Sequence, residues 1–273
     1  MPRSGQIGYN LVRMKIYISA DMEGLAGVRK WSDVDKSSHQ YPKFRKEMIE
    51  EVDIVELVCK SALNKGAKSI IIKDAHWTGR NIQASKLLPG AKLISGWSGS
   101  PYSMMEYIDG SYDGVIFVGY HAWAGSKINP LGHFVSRNAK RVLLNGRDLS
   151  EFRINTYIAA QEKVPVLCVL GDKAICAEAK KLIKNVSTVE TFSKETGSKN
   201  LANQIQKAIS KCLGSKVKMP QLPKTYKLEV EYNNRNSFVK SLRHKGVIQK
   251  RANAITFKTL NLNELLIAIE AIM

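Results

Sequence analysis

No apolar stretch of this 273-residue chain approaches the ~20 residues that a membrane-spanning helix needs. The first thirteen residues are basic but have no apolar core, so they do not read as a secretory signal. Residues 1–13 are expected to form a loosely ordered N-terminal extension, with Met14 opening the first strand. Cysteine is scarce: Cys59, Cys168, Cys176 and Cys212, no two of them spaced Cys-x-x-Cys. Cys59 falls in a helical pattern and Cys168 in an apolar run, so both read as buried small apolar residues rather than disulfide partners or ligands. With no export signal, a reducing cytoplasm is the expected compartment. Acids are in deficit, 24 against 42 Lys and Arg, for a formal net charge of +18. The lysines are spread over the chain, without an Arg-rich arm, an aromatic-interleaved basic stripe or an RNA-binding signature. A solvated Lys-rich surface is therefore preferred over a specific nucleic-acid interface. The run Gly96-Trp97-Ser98-Gly99-Ser100 does not fit Gly-x-Ser-x-Gly, and no phosphate-cradling Gly-x-x-x-x-Gly-Lys-Ser/Thr occurs. Serine-hydrolase and P-loop chemistry lose ground accordingly.

What is present reads as an α/β protein. Its 273 residues, 44% of them hydrophobic, suffice for one large domain or two lobes with a sizeable core. Apolar positions at three- and four-residue steps (Phe44, Met48, Val52, Val55, Cys59) predict a helix over 41–65, with Gly66 just past its end. Strands are expected at 69–73, 93–96, 114–120, 166–170 and 187–192, and helices at 150–163, 174–183 and 199–212. Between them lie short extended runs at 134–136 and 141–144, the latter closed by an Asn145-Gly146 hairpin turn. Apolar strands separated by helices imply a mostly parallel sheet flanked by helices, a three-layer α/β/α arrangement. Residues 14–213 would form this core. A Pro- and Lys-bearing linker follows, and 225–273 would form a smaller α+β lobe: strands at 226–232 and 254–258, then a helix capped by Asn261.

The chemistry concentrates at strand ends. Asp21 and Glu23 follow the apolar run from Lys15 and, in an extended chain, point the same way. Two carboxylates so placed repel unless a cation lies between them. They could also be solvated loop acids beside a turn at Gly24. His76 follows the strand ending Lys73-Asp74, and His121 follows Gly114–Tyr120. Each alone reads more readily as a structural or exposed histidine than as a ligand. Delivered together to the carboxyl ends of buried strands, these four side chains have the layout of a metal site on an open sheet. Glu151 opens a helix and, with Asp148, has capping-box spacing, so locally a structural role is favoured. His133 lies in a loop from which it either reaches a nearby site or hydrogen-bonds locally.

Ser19-x-Asp21-x-Glu23-Gly24, Asp74-Ala75-His76, Gly119-Tyr120-His121-Ala122, the Glu151 helix with Asn155-x-Tyr157, Leu93-Ile94-Ser95-Gly96 and Val164-Pro165-Val166-Leu167 before Gly171-Asp172 resemble the zinc-dependent D-aminopeptidases of the DppA type. The resemblance runs from Met14 to about residue 200. It implies two zinc ions per subunit, with Asp21 as the bridging carboxylate and Glu23, His76, His121 and Glu151 completing the ligand set. His133 matches the family's catalytic histidine, and Asn155 and Tyr157 become candidates for lining a substrate pocket. The implied activity is removal of the N-terminal residue of short peptides, including D-amino-acid peptides, through a metal-activated water. The implied assembly is a homo-oligomer, in its ring form a decamer. The alternatives are a di-metal hydrolase of another amide or a phosphate ester, and a catalytically silent, metal-stabilised peptide-binding protein.

Overall fold

The computed structural model describes residues 14–25, 27–28, 30–35, 49–192 and 198–273. The extension at 1–13 and the part of the 41–65 helix that carries Phe44 and Met48 lie outside these residues. The elements in chain order are β1 (Lys15–Ala20), α1 (Trp31–Val34, a single turn), α2 (Ile49–Asn64), β2 (Ser69–Asp74), β3 (Ala91–Ile94), β4 (Gly114–Tyr120), β5 (Ala139–Leu144), β6 (Arg147–Asp148), α3 (Glu151–Gln161), β7 (Val166–Gly171), α4 (Lys173–Leu182), β8 (Ser187–Glu190), α5 (Ser198–Cys212), β9 (Tyr226–Tyr232), α6 (Arg235–Ser241), β10 (Ile248–Arg251), β11 (Ala254–Thr259) and α7 (Leu262–Ile272). No described helix is long and apolar enough to cross a membrane.

Six strands form a parallel sheet in the order β3-β2-β1-β4-β7-β8. Alternation along β1 divides its side chains between two cores. Ile16 and Ile18 join Ile54, Val58 and Ala62 of α2 and Leu201, Ile205 and Ile209 of α5. Tyr17 faces the other way, into a core shared with Phe152 and Ile158 of α3, Ile175 and Ala179 of α4, and the second sheet. Burial on both faces explains why these strands read as unbroken apolar runs. The chain turns in opposite senses on the two sides of the β1–β4 junction. That junction is the crevice where open α/β sheets place ligands.

The second sheet is antiparallel, ordered β10-β11-β9-β5-β6. It is built from two distant stretches, β5–β6 ahead of α3 and β9–β11 after the parallel sheet is complete. Asn145 (φ 52°) and Gly146 (φ 79°) make the expected tight turn between β5 and β6. Sequence reading missed α6 and β10. The four residues of β10 are all exposed, so no buried alternation marks it, and α6 buries only Phe238 and Ser241. The cap of α3 also differs from expectation: Ser150, not Asp148, occupies the N-cap and accepts from the Arg153 N–H. Asp148 lies in β6, where it takes a hydrogen bond from Arg141 at 2.8 Å.

Where β1 and β4 end, the two backbones lock together. The Asp21 N–H donates to the Val118 carbonyl and the Gly24 N–H to the Gly119 carbonyl, both at 2.8 Å. Gly119 has φ +73°, and a Cβ there would lie 1.9 Å from the Asp21 carbonyl oxygen. Only glycine permits that approach.

One buried ion pair stands beside the crevice. Lys73 of β2 is fully buried, with its Nζ 3.0 Å from Glu106 Oε2, a hydrogen bond to the Gly96 carbonyl and the Trp97 ring centroid at 4.0 Å. Burial would push the Glu106 carboxyl up, but hydrogen bonds from Ser98 and Lys73 outweigh it and hold the group below the ordinary carboxylate range. Removing one partner leaves an uncompensated buried charge. Lys73→Met is therefore expected to cost about 3–5 kcal/mol in urea unfolding, with part of the loss recovered in Lys73→Met/Glu106→Gln. Because the folded pKa of Glu106 is lowered, its contribution is in place above the unfolded value of about 4.3 and is lost as pH falls through the folded one. A Lys73→Met variant as stable as the parent between pH 6 and 8 would exclude this role.

Candidate metal centre

Five of the predicted ligands converge. β1 delivers Asp21 and Glu23, both almost fully buried. Their convergence does not come from strand alternation as the sequence suggested. The chain leaves the extended path after Ala20, and a turn closed by Leu25 N–H to Met22 O (3.0 Å) brings Glu23 alongside Asp21. β2 continues its pairing one step past Asp74, through Ala75 N–H to Ala20 O at 2.8 Å, and so presents His76. His76 Nδ1 lies 3.3 Å from Asp21 Oδ1 and 3.0 Å from Glu23 Oε2, while its Nε2 donates to the Val34 carbonyl at 3.3 Å. Asp74 does not orient His76. Its carboxylate accepts from the N–H groups of Asn81 and Ile82 and shapes the following turn.

β4 delivers His121. Its Nδ1 donates to the Ala122 carbonyl at 2.9 Å, which leaves Nε2 as a lone pair. That nitrogen stands 3.4 Å from Asp21 Oδ2 and 3.3 Å from Glu151 Oε2. Glu151 is the first residue of α3, and its Oε1 accepts from the Val135 N–H at 2.5 Å. Val135 has φ 59°, a conformation that a β-branched residue adopts only when its surroundings impose it.

His121 Nε2 and Asp21 Oδ2 are both buried and neither has a hydrogen-bond partner. Two lone-pair donors facing each other in a buried site, with two more carboxylates beside them, fit a divalent cation. Among the described residues the donor sets are Asp21, Glu23 and His121, and His121, His133 and Glu151. Burial and the neighbouring Glu23 push the Asp21 carboxyl well above its ordinary value. Burial would also raise Glu23 and Glu151 and lower His76 and His121, but their mutual pairing overrides it. Glu23 and Glu151 are lowered, and His76 and His121 raised. A cation binding there competes with protonation of these imidazoles.

His133 stacks on His121, with centroids 4.4 Å apart and planes at 6°, and meets the Trp31 edge at 5.2 Å. Its Nδ1 donates to the Leu131 carbonyl at 3.0 Å, and Nε2 lies 3.8 Å from Glu151 Oε1. Burial, then the adjacent His121, lowers its pKa. A pocket of about 380 Å³ opens over the cluster, walled by Trp31, Trp77, Trp97 and Met104. Asn155 and Tyr157 do not line it. Asn155, one turn below Glu151, donates to the Tyr120 hydroxyl at 2.9 Å, and Tyr157 is packed into the core. The helix turns both away from the opening.

Sequence reading missed Asn129. It is fully buried, donating to the Glu23 carbonyl at 3.0 Å and to Asp172 Oδ2 at 3.1 Å while accepting from the Leu131 N–H at 2.9 Å. Asp172 Oδ2 also accepts from the Ala122 N–H at 2.6 Å. One amide and one carboxylate thereby tie together the loops that carry Glu23, His121 and His133. Asn129→Ala is expected to lower metal affinity or turnover about 10–100-fold without unfolding the chain. Zinc titration and kinetics of the purified variant would check this, and parent-like values for both would refute it.

The chain is similar to known proteins along nearly its whole length. The family model described as D-aminopeptidase (Peptidase_M55) matches residues 14–271, well beyond the stretch to about residue 200 that carries the sequence resemblance. A D-aminopeptidase of Bacillus subtilis (strain 168) is 36% identical over 175 residues, which cover 64% of this chain and 62% of that relative. The solved structure described as the Zn-dependent D-aminopeptidase DppA from Bacillus subtilis, a self-compartmentalizing protease, superposes with a TM-score of 0.84 at 28% identity. That match covers 95% of this chain and 96% of the other.

Proposed function

The chain belongs to the D-aminopeptidase family, and on that premise we propose that it is a zinc-dependent aminopeptidase that removes the N-terminal residue of short peptides, D-amino-acid peptides included. The observation that carries this reading is the pair of unpartnered buried atoms, Asp21 Oδ2 and His121 Nε2, inside a ring of acids and imidazoles.

The grouping of donors supports two zinc ions rather than one. Asp21 Oδ1 faces His76, which also meets Glu23; Asp21 Oδ2 faces His121, which also meets Glu151. Asp21 is then the shared carboxylate, with Glu23 and His76 on one side and His121 and Glu151 on the other. Zinc held there supplies Lewis-acid polarisation of the scissile carbonyl and lowers the pKa of water from 15.7 to about 7.

The remaining work belongs to the chain's own residues. The Leu131 carbonyl fixes the His133 tautomer, so Nε2 points its lone pair toward the cluster. From there it takes the proton of the attacking water and returns it to the leaving amine. The three indoles restrict water and hold the peptide against the floor of the pocket. We propose further that the chain assembles into a homo-oligomer, with a ring-shaped decamer as its form; light scattering on the purified protein measures this directly.

The test of function is hydrolysis of D- and L-aminoacyl amides and short peptides before and after exhaustive chelation. Activity is expected to vanish with the metal and to return on adding zinc. Turnover that survives complete metal removal would overturn the reading.

A further inference from the structure

The pocket's charge is uneven. Its floor is acidic, with Asp21, Glu23 and Glu151, and its walls are largely apolar. Among the described residues that line it, the one Lys or Arg is Arg137. Arg141, Arg153 and Arg251 each pair with a carboxylate, whereas among the described residues Arg137 meets none. Its guanidinium carbon lies 5.0 Å from the Trp31 ring centroid. Trp31 in turn stands against His133 at 5.2 Å. A guanidinium laid on an indole face keeps its N–H fork free at the edge, the geometry that takes a carboxylate bidentately.

The backbone beneath this side chain is tied down. The Arg137 carbonyl accepts from Asn233 Nδ2 at 2.9 Å, and the Ser136 hydroxyl donates to the Met273 carbonyl at 3.0 Å. The second sheet and the end of α7 therefore place Arg137 at the lip, one indole ring beyond the proton-transferring imidazole. An extended peptide advances about 3.3–3.6 Å per residue. A leaving group of one or two residues spans that gap, with the nitrogen of the scissile bond at the metal cluster and its carboxylate at the lip.

We propose that Arg137 receives the terminal α-carboxylate of the leaving group, so that the enzyme acts on di- and tripeptides with a free carboxyl terminus in preference to longer or capped chains. This rests on the aminopeptidase reading above and names the substrate class of the same site.

The test uses the zinc-loaded enzyme and a matched pair of tripeptides, one a free acid and the other its C-terminal amide. The parent is expected to favour the free acid in kcat/KM by tenfold or more, with the difference residing in KM. Arg137→Met loses that preference, and Arg137→Lys recovers part of it. Lys140→Met, which removes a cation outside the pocket, keeps the preference and so separates the site from the overall positive charge. Equal rates on the two peptides by the parent, or an equal loss on both in Arg137→Met, would overturn the assignment. Calorimetric titration of the same pair separates this failure from failure of the hydrolase reading. If neither peptide is cleaved, binding of the free acid tenfold tighter than the amide, abolished in Arg137→Met, still supports the carboxylate site. Equal affinities refute it.

Discussion

Replacing Asp21 with Asn is expected to lower kcat/KM on a short peptide amide by on the order of a thousandfold, more than the 10–100-fold that follows loss of a group supporting a ligand. A thousandfold corresponds to about 4 kcal/mol of transition-state stabilisation. The reason is that Asp21 places one oxygen against His76 and the other against His121, so it faces both halves of the donor set. Asparagine keeps the volume and can still accept the Met22 N–H bond now made to Oδ1 at 2.9 Å, but the charge and the second oxygen are gone. Zinc content should fall below that of the parent. The metal-free variant should nevertheless be no less stable than the metal-free parent. In the parent, burial and Glu23 push the Asp21 carboxyl well above its ordinary value, which is the sign of a group that destabilises the empty site. Thermal unfolding in chelator, read beside elemental analysis, checks both statements. A variant with parent-like zinc content and turnover would remove Asp21 from the centre.

His133→Ala is expected to lower kcat by about 10²–10⁴-fold, the range for loss of a positioned proton-transfer group, with zinc content retained. The distinction matters because His133 also belongs to a possible donor set with His121 and Glu151. Its Nε2 is 3.8 Å from a Glu151 oxygen already engaged by the Val135 N–H, whereas His121 Nε2 is buried without a hydrogen bond, 3.4 Å from Asp21 Oδ2 and 3.3 Å from Glu151 Oε2. That asymmetry is why we propose the ligand role for His121 and the proton transfer for His133. If the variant loses zinc, His133 is a ligand. If zinc and kcat are both unchanged, His133 plays no part in the chemistry.

Much of this was legible in the linear sequence. Burial on both faces leaves an unmistakable trace, so β1, β2, β4 and β7 stand out as apolar runs. Position at a strand's carboxyl end then marks Asp21, Glu23, His76 and His121 as candidates from the linear sequence alone. Glu151 was ambiguous for a physical reason. An acid in the first turn of a helix serves the helix dipole whether or not it reaches a metal, and only the resemblance favoured the metal. Asn155 and Tyr157 shared its helix, but a helix distributes neighbours over all its faces. Both ended up beneath the site rather than in it.

Local periodicity and strand-end chemistry thus determined the parallel sheet and marked four of the five proposed ligands in their order along the chain, because both depend on spacings of a few residues. The tertiary structure alone decided which side chains share a cavity. Trp31, Asn129 and Arg137 carry no local signal, and they acquire their parts only where distant loops close over the β1–β4 junction. Likewise β5 joins β9 across more than eighty residues of chain, because an exposed edge in one segment is satisfied by hydrogen bonds from another that no local pattern connects to it.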